Sequence, residues 1–310
     1  AEPPPIPPTT TRLVALAVQP HGLLHPPSQH RLCAAALADD SLAMYNLQTN
    51  QWSPHKLANT QQKQVTCLRW QPQSASVLAV GCAKGVCVWR LAFSGTAELA
   101  GGHLLRVIEI FGGPESFPTP PSSLRWHPLG SWLAISSTHH GGIALCDLST
   151  TSAPTTLPYH SYGPLGLAHS LLAYLIGSSL HRSGVGVLEV SLCGSSLMAS
   201  GSHGGLRIYE TKEWTWESWP RFGRDAPVNA AAWHGPPPLS SESLRTLVLS
   251  LTNDTTLHVL RVGRRSAGGP SSEYIGHIEL SHLCPSLSEN GNHGESSSQQ
   301  QLPVRRQSEG

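Results

Sequence analysis

The stretch VTCLRWQPQSASVLAVGCAKGVCVWRL, from Val65 to Leu91, decides the fold. Its apolar runs are 5 to 7 residues long, and Trp70 and Trp89 lie in the first and third of them. Runs of this length match ordinary β-strands, which rise about 3.3 Å per residue. The turns between the runs are short, and glycine supplies the positive φ that a tight hairpin requires. The stretch therefore predicts three consecutive antiparallel strands.

The same order of runs recurs along the chain. Clear copies span Ser122 to Leu148 and Val185 to Thr211, and degenerate copies span Leu13 to Leu47 and Val228 to Val262. In each copy the first run ends in a bulky residue, in chain order Val18, Trp70, Trp126, Val190 and Trp233. The third run carries a matching marker, in the same order Tyr45, Trp89, Cys146, Tyr209 and Val259. This regularity indicates one repeating unit.

The spacing of the two markers supports the repeat. They lie 19, 20 and 19 residues apart in the second, third and fourth copies, and 27 and 26 apart in the outer copies, where proline-rich insertions lengthen the first turn. A fourth run follows several copies, at Asn50 to Leu57, His103 to Phe111 and Glu213 to Pro220. Four antiparallel strands repeated at intervals of 43 to 64 residues are typical of β-propeller blades.

We therefore predict an all-β chain that folds as a WD40-type β-propeller, with about five recognisable blades that form part of a seven-bladed ring. The predicted blades lie near residues 13–57, 65–111, 122–160, 185–220 and 228–262, within a propeller of residues 11–283. The segment Tyr274 to Leu280 is a candidate for one more strand. Residues 1–10 form a proline-rich leader, 161–184 an apolar insertion, and 284–310 a Ser/Gln-rich tail that we expect to be disordered.

An arc of five blades would expose apolar faces at its ends. The apolar stretch from Pro164 to Leu180 is shorter than the roughly 20 residues that a spanning helix needs. It also contains His169, Ser170 and Gly177. We interpret it as a buried strand or inserted loop, and we expect Leu165 to Leu180 to be covered by a blade or by a partner.

The composition argues against nucleic acid as a partner. The net charge is +1, and charged residues make up 13% of the chain, against about a quarter in ordinary globular proteins. The basic clusters Arg261 to Arg265 and Arg305-Arg306 are short and lack interleaved aromatic residues, so a solvated loop or tail explains them better.

The cysteines and histidines form no metal-binding pattern. Six of the seven cysteines lie singly in apolar runs, where a free thiol behaves as a small hydrophobe. Cys82 and Cys87 flank a hairpin turn and have no partner pair nearby, and the histidines, His140 and His203 among them, do not match zinc spacing. We predict a reduced, intracellular protein with no metal and no cofactor.

No catalytic motif is evident. The chain has no Gly-x-Ser-x-Gly elbow and no P-loop, and the adjacent Asp39 and Asp40 are interpreted as a hairpin turn. We therefore predict that the protein is not an enzyme and has no catalytic residues and no small-molecule substrate. A catalytic propeller would need a polar pocket at the ring centre with perturbed titratable groups.

Two segments resemble the aladin family of WD-repeat nucleoporins. They are DDSLAMYNL (Asp39 to Leu47), followed by the opening stretch, and GGLRIYETKEWTWESWP (Gly204 to Pro220). The resemblance covers roughly Thr11 to Val262 and implies a non-catalytic scaffold of the nuclear pore complex. It also implies a place at the nuclear envelope, indirect membrane association, other nucleoporins as partners, including a transmembrane one, and a role in nucleocytoplasmic transport. The alternative is another WD40 scaffold, such as a substrate receptor of a ubiquitin ligase.

Overall fold

The computed structural model describes residues 12–20, 31–72, 74, 76–93, 99–109, 120–148, 155–158, 184–202, 204–219, 222, 227–235, 244–252, 254–264 and 269–280. Within these ranges the chain forms twenty β-strands, arranged in five four-stranded sheets. No helix in the described ranges is long and apolar enough to cross a membrane.

The strands fall into five groups of four in chain order. The first sheet holds β1 (Leu13–Val18), β2 (Leu32–Leu37), β3 (Leu42–Asn46) and β4 (Gln51–Trp52), and the second β5 (Cys67–Trp70), β6 (Val77–Cys82), β7 (Gly85–Phe93) and β8 (Leu99–Glu109). The third holds β9 (Ser123–Trp126), β10 (Trp132–Ser137), β11 (His140–Asp147) and β12 (Thr155–Pro158). The fourth holds β13 (Val185–Val190), β14 (Ser196–Gly201), β15 (Leu206–Glu210) and β16 (Trp216–Trp219), and the fifth β17 (Val228–His234), β18 (Arg245–Leu251), β19 (Thr256–Arg264) and β20 (Pro270–Glu279).

Each sheet is an antiparallel meander whose strands follow one another in sequence order. The strand register explains the marker spacing, because the two markers of a unit lie opposite the same residue of the strand between them. Leu78 pairs with both Trp70 and Trp89, and Leu197 pairs with both Val190 and Tyr209. The prediction of three consecutive antiparallel strands in the opening stretch is confirmed.

The fifth sheet differs from the prediction in two respects. Leu247 pairs with Trp233 and with Leu260, so the marker on β19 is Leu260 and not Val259. A shift of one residue moves a side chain to the other face of the sheet, and Leu260 is fully buried whereas Val259 is half-buried. The candidate strand Tyr274 to Leu280 falls largely within β20, which is the fourth strand of this sheet and extends it well beyond Val262.

The fourth strands of the first two sheets also differ in extent from the predicted runs. β4 contains only Gln51–Trp52, and an isolated bridge between Leu42 and Leu57 continues the pairing. β8 begins at Leu99, four residues before the predicted start at His103.

Successive sheets pack face to face around their first strands. β1 contacts β5, β5 contacts β9, β9 contacts β13, and β13 contacts β17. Four apolar clusters lie between successive sheets, and each draws side chains from two neighbouring sheets. All residues of β6 and of β14 are buried, as expected for strands covered on both faces. The sheets therefore have the arrangement of propeller blades, and we number them 1 to 5.

The tight turns follow the predicted chemistry. Asp39 and Asp40 form the hairpin turn between β2 and β3, as predicted, and Asp40 adopts a φ of 65°. The carboxylate of Asp39 accepts hydrogen bonds from the backbone N–H (3.0 Å) and hydroxyl (2.6 Å) of Ser41. Asp254 binds Thr256 in the same way before β19, so this turn recurs in blades 1 and 5.

Three predicted segments lie outside the described residues: the leader 1–10, most of the apolar insertion 161–184, and the tail 284–310. The domain boundaries and the seven-bladed ring remain predictions.

Candidate functional site

The first strands of neighbouring blades are joined by a repeated hydrogen bond. The indole N–H of Trp70 donates to the carbonyl of Ala17 in the preceding blade, over 2.9 Å. Trp126 donates to the carbonyl of Arg69 over 3.2 Å, in the same way. In each pair the acceptor residue directly precedes the marker of its own strand. The first-strand tryptophans thus connect neighbouring blades through hydrogen bonds. This role was not predicted from the sequence.

The first strands of blades 3 and 4 are connected by an ion pair instead of an indole hydrogen bond. Blade 4 has Val190 where blades 2, 3 and 5 have tryptophan, so it has no indole to donate. The guanidinium Nε of Arg125 on β9 instead donates to the carboxylate of Glu189 on β13. The backbone carbonyl of Glu189 in turn accepts the indole N–H of Trp233 from blade 5, over 3.2 Å. All four junctions between consecutive described blades therefore have a polar bond at the first strand.

A buried glutamine connects blades 1 and 2 farther from the axis. Gln62 is fully buried, and its side-chain oxygen accepts the indole N–H of Trp89 over 2.8 Å. Its amide donates to the backbone carbonyl of Asp40 in the turn of blade 1. The carboxylate of Asp40 also accepts the backbone N–H of Val65, over 3.2 Å. Because buried amide groups are nearly always hydrogen-bonded, we infer that this network holds blades 1 and 2 together.

We expect Trp126→Phe to lower the free energy of unfolding by about 1 kcal/mol more than Trp132→Phe does. Both changes remove part of an indole ring, but only Trp126 donates its N–H to another blade. Trp132 is half-buried and donates no hydrogen bond from its indole within the described ranges. Urea denaturation of the two variants measures the difference. Equal losses in the free energy of unfolding would contradict the hydrogen bond between blades at Trp126.

The first strands of all five blades surround one cavity of about 340 Å³, which is the central channel. Its volume is at the lower end of the range for pockets that bind small molecules. The lining is Ala15, Leu16, Thr66, Cys67, Leu68, Arg69, Ser122, Ser123, Leu124, Arg125, Gly186, Val187, Asn229, Ala230 and Ala231. The charged side chains of this lining are the two arginines.

The polar groups of the described channel wall include hydroxyls and a thiol. The hydroxyls of Thr66 and Ser122 donate to backbone carbonyls, of Pro121 and Val185 respectively. Burial raises the pKa of the Cys67 thiol to about 11, so this thiol is protonated at neutral pH. Among the described residues of the lining there is no histidine, aspartate or glutamate that could activate a hydroxyl.

Asp254 and His258 approach each other in blade 5 in a manner that superficially resembles a catalytic pair. The two side chains are 3.1 Å apart, and the other ring nitrogen of His258 lies 3.1 Å from the hydroxyl of Tyr274. The hydroxyl of Thr256, the nearest candidate nucleophile, donates to Asp254 over 2.7 Å. Hydrogen bonds from Thr256 and His258 lower the pKa of the Asp254 carboxyl to about 2. Asp254 therefore closes the turn before β19 through its hydrogen bonds with Thr256.

Of the remaining residues considered from sequence, those that the structure describes do not come together in one site. The Sγ atoms of Cys82 and Cys87 lie 3.5 Å apart across their hairpin, and both thiols are buried. Arg261 and Arg264 lie on β19 near Glu273 (3.9 Å) and Glu213 (3.3 Å). His203, Arg265 and Arg305-Arg306, together with the side chain of His140, lie outside the described residues.

Cys193 has an environment that the sequence did not reveal. Desolvation alone would raise the pKa of this thiol, but the hydroxyls of Ser195 (3.1 Å) and Ser191 (3.5 Å) and the guanidinium of Arg245 outweigh it. The Nε of Arg245 donates to the sulfur over 2.8 Å. Together these groups lower the pKa of the Cys193 thiol to about 7. A thiol of this kind is substantially ionised at neutral pH.

We expect iodoacetamide to alkylate Cys193 faster at pH 7 than the half-buried Cys33, whose thiol pKa is raised by burial. Because the thiolate is the nucleophile, the rate at Cys193 should rise with pH to a midpoint near 7. Arg245→Gln should shift that midpoint upward. Mass spectrometry of timed reactions measures both rates, and a Cys193 midpoint above 8.5 in the unaltered protein would contradict the assignment.

Several apolar side chains on the first and last described strands are exposed. Val14, Leu16 and Val18 on β1 are between 45% and 55% exposed, and Ile275 and Ile278 on β20 are nearly half exposed. The expectation that an arc of five blades exposes apolar faces at its ends stays a prediction.

Known proteins resemble this chain in sequence and in fold. No protein-family model matches the chain. The chain is similar to aladin of Arabidopsis thaliana, with 24% identity over 194 residues, which is 58% of this chain and 38% of that protein. The chain thus spans well under half the length of this relative.

Solved structures show the fold. The β-propeller domain of Cps50 (Swd1) from Myceliophteria thermophila matches with a TM-score of 0.52 and 11% identity, covering 86% of this chain and 72% of that one. A chain of the mitotic checkpoint complex matches with a TM-score of 0.50 and 13% identity, covering 80% and 63%. The predicted fold class is confirmed: the protein is an all-β WD40-type β-propeller.

Proposed function

We propose that this protein is a non-catalytic scaffold of the nuclear pore complex, an aladin-like nucleoporin that supports nucleocytoplasmic transport. In this proposal a transmembrane nucleoporin holds it at the nuclear envelope, and its own membrane association is indirect. The observation that carries the proposal is the similarity to plant aladin over 194 residues. The other partners are further nucleoporins.

The geometry of the blades supports a scaffold. The polar side chains near the axis bond one blade to the next, as the indoles of Trp70, Trp126 and Trp233 do. Such bonds fix the relative positions of the blades, and a rigid platform loses little conformational entropy when it binds a partner. The chemistry of the described channel wall likewise suits binding.

The segments that carry the family resemblance lie in blades 1, 2 and 4, and much of each is buried. The segment in blade 4 includes β15 and β16, where the guanidinium of Arg207 lies 5.5 Å from the ring centre of Trp216. Trp216 is 43% exposed, and exposed aromatic and arginine side chains are enriched at protein interfaces. We include this pair in the surface that the scaffold presents to its partners.

Affinity purification of the tagged protein under mild detergent tests the proposal. We expect nucleoporins, with a transmembrane nucleoporin among them, to co-purify with the folded protein, and we expect fluorescence of the tagged protein at the nuclear rim. A destabilised blade variant, Trp89→Ala, serves as the control for binding that does not depend on the fold. Recovery of cullin adaptors without nucleoporins would overturn the proposal and favour a ubiquitin-ligase substrate receptor.

A further inference from the structure

Arg69 is the one channel side chain whose charge has no bonded partner in the described part of the chain. Its strand is held from both sides, because Trp70 donates to blade 1 and the Arg69 carbonyl accepts from Trp126 of blade 3. The neighbouring residues Leu68 and Trp70 are buried in the contact with blade 1, whereas Arg69 is exposed to the channel. Its guanidinium makes no hydrogen bond and no ion pair with any described residue.

Three successive blades place charge at equivalent positions. Arg69, Arg125 and Glu189 each directly precede the first-strand marker of their blade, in blades 2, 3 and 4. Arg125 is paired with Glu189, and both side chains are largely buried, at 22% and 24% exposure. These three side chains therefore carry a net charge of +1. Since Arg125 and Glu189 neutralise each other, the remaining charge is that of Arg69.

Although Arg69 is exposed to the channel, its surroundings disfavour the positive charge of its guanidinium. Desolvation lowers the pKa of its guanidinium, and the nearby positive charge of Arg125 lowers the pKa further, whereas the negative charge of Glu189 raises it. The two cations thus lie close enough to repel each other. An anion bound beside them would offset the repulsion between the two cations, since an opposite charge favours the ionised form.

We propose that the central channel binds an acidic peptide segment of a partner protein, with Arg69 as the residue that binds an aspartate or glutamate carboxylate. A guanidinium presents a planar pair of donors that matches a carboxylate. The single net positive charge matches one carboxylate, whereas a phosphate carries nearly two negative charges. The neutral polar groups of the wall, Thr66, Ser123 and Asn229, suit the amides of a peptide backbone. The inference rests on the proposed scaffold function, because the ligand is a segment of a bound partner.

Fluorescence polarisation of labelled hexaglutamate with the full chain tests the site, with labelled hexaglutamine as the uncharged probe. We expect hexaglutamate to bind at least tenfold more tightly than hexaglutamine, and Arg69→Gln to weaken the binding of hexaglutamate about tenfold. The matched control is Arg90→Gln, which removes the same charge from an exposed residue on β7 of the same blade. We expect this control to change the affinity less than twofold.

A third variant changes the affinity in the opposite direction. Glu189→Gln keeps a side-chain oxygen that can accept from Arg125 but removes the negative charge, so we expect hexaglutamate to bind several-fold more tightly. Equal binding of the two peptides, equal effects of Arg69→Gln and Arg90→Gln, or tighter binding of an oligothymidylate than of hexaglutamate would each overturn the inference.

The two proposals fail separately. If nucleoporins co-purify but hexaglutamate does not bind, the channel site is wrong and the scaffold function stands. If hexaglutamate binds through Arg69 but no nucleoporin co-purifies, the channel site stands and the nuclear-pore assignment is wrong.

Discussion

Replacing Trp89 with alanine is expected to lower the free energy of unfolding by about 3–5 kcal/mol, as other large-to-small changes of buried aromatic residues do. Trp89 is 4% exposed and packs in the apolar cluster between blades 1 and 2. Its loss also leaves the side-chain oxygen of Gln62 buried without its donor. Since domains are typically stable by only 5–15 kcal/mol, this single change removes a large share of the total.

Two further variants separate the causes of this loss. Trp89→Phe keeps most of the packing but removes the N–H, so we expect a loss of about 1–3 kcal/mol from the unpaired amide oxygen of Gln62. Trp216→Ala removes an indole that is 43% exposed, and we expect it to cost about 1 kcal/mol. Denaturant unfolding followed by circular dichroism measures all three. If Trp89→Ala and Trp216→Ala proved equally destabilising, Trp89 would not lie between blades.

A methyl group at Gly184 is expected to destabilise the protein by about 3 kcal/mol, because it would overlap backbone atoms of blade 3. Gly184 is buried just before β13, and an added Cβ would overlap the carbonyl groups of Ser137 and Thr138 at the end of β10. A backbone carbonyl cannot swing aside as the end of a long side chain can. Gly184→Ala therefore forces blades 3 and 4 apart.

The matched control is Gly186→Ala, two residues farther along the same segment. The nearest atom to a methyl group there would be the Cα of Ser202, at 3.7 Å, which is an ordinary contact. We expect this change to alter stability by no more than about 0.5 kcal/mol. The melting temperatures of the two variants, measured side by side, provide the test. Tolerance of both changes would show that the blades are farther apart than described.

The repeat could be predicted from sequence because its markers recur in a fixed order. Leu78 faces both Trp70 and Trp89, and this pairing requires the spacing of the two markers to be nearly constant between blades. The turn residues were equally informative, since Asp39 and Asp40 match the backbone and hydrogen bonds of a tight turn. Local patterns of period two and local turn chemistry therefore predicted the strands and the fold class.

Features that depend on contacts between distant residues could not be predicted in this way. Gln62 meets Trp89 across 27 positions, and Arg125 meets Glu189 across 64. Neither pair lies within a single unit, so no pattern within one repeat indicates it. The marker of the fifth unit was misplaced by one residue because both Val259 and Leu260 are apolar and only the pairing with Leu247 distinguishes them. The channel site likewise requires neighbouring blades to be placed before Arg69 can be seen to lack a partner.

A crystal structure of the purified chain is the most direct test of the claim that five blades pack around one channel and are joined at their first strands. We expect five antiparallel four-stranded sheets in sequence order around a shared axis. The indole nitrogens of Trp70, Trp126 and Trp233 should lie 2.9 Å, 3.2 Å and 3.2 Å from the carbonyl oxygens of Ala17, Arg69 and Glu189. First strands that pair in parallel between successive units, or indoles that point into solvent, would contradict the claim.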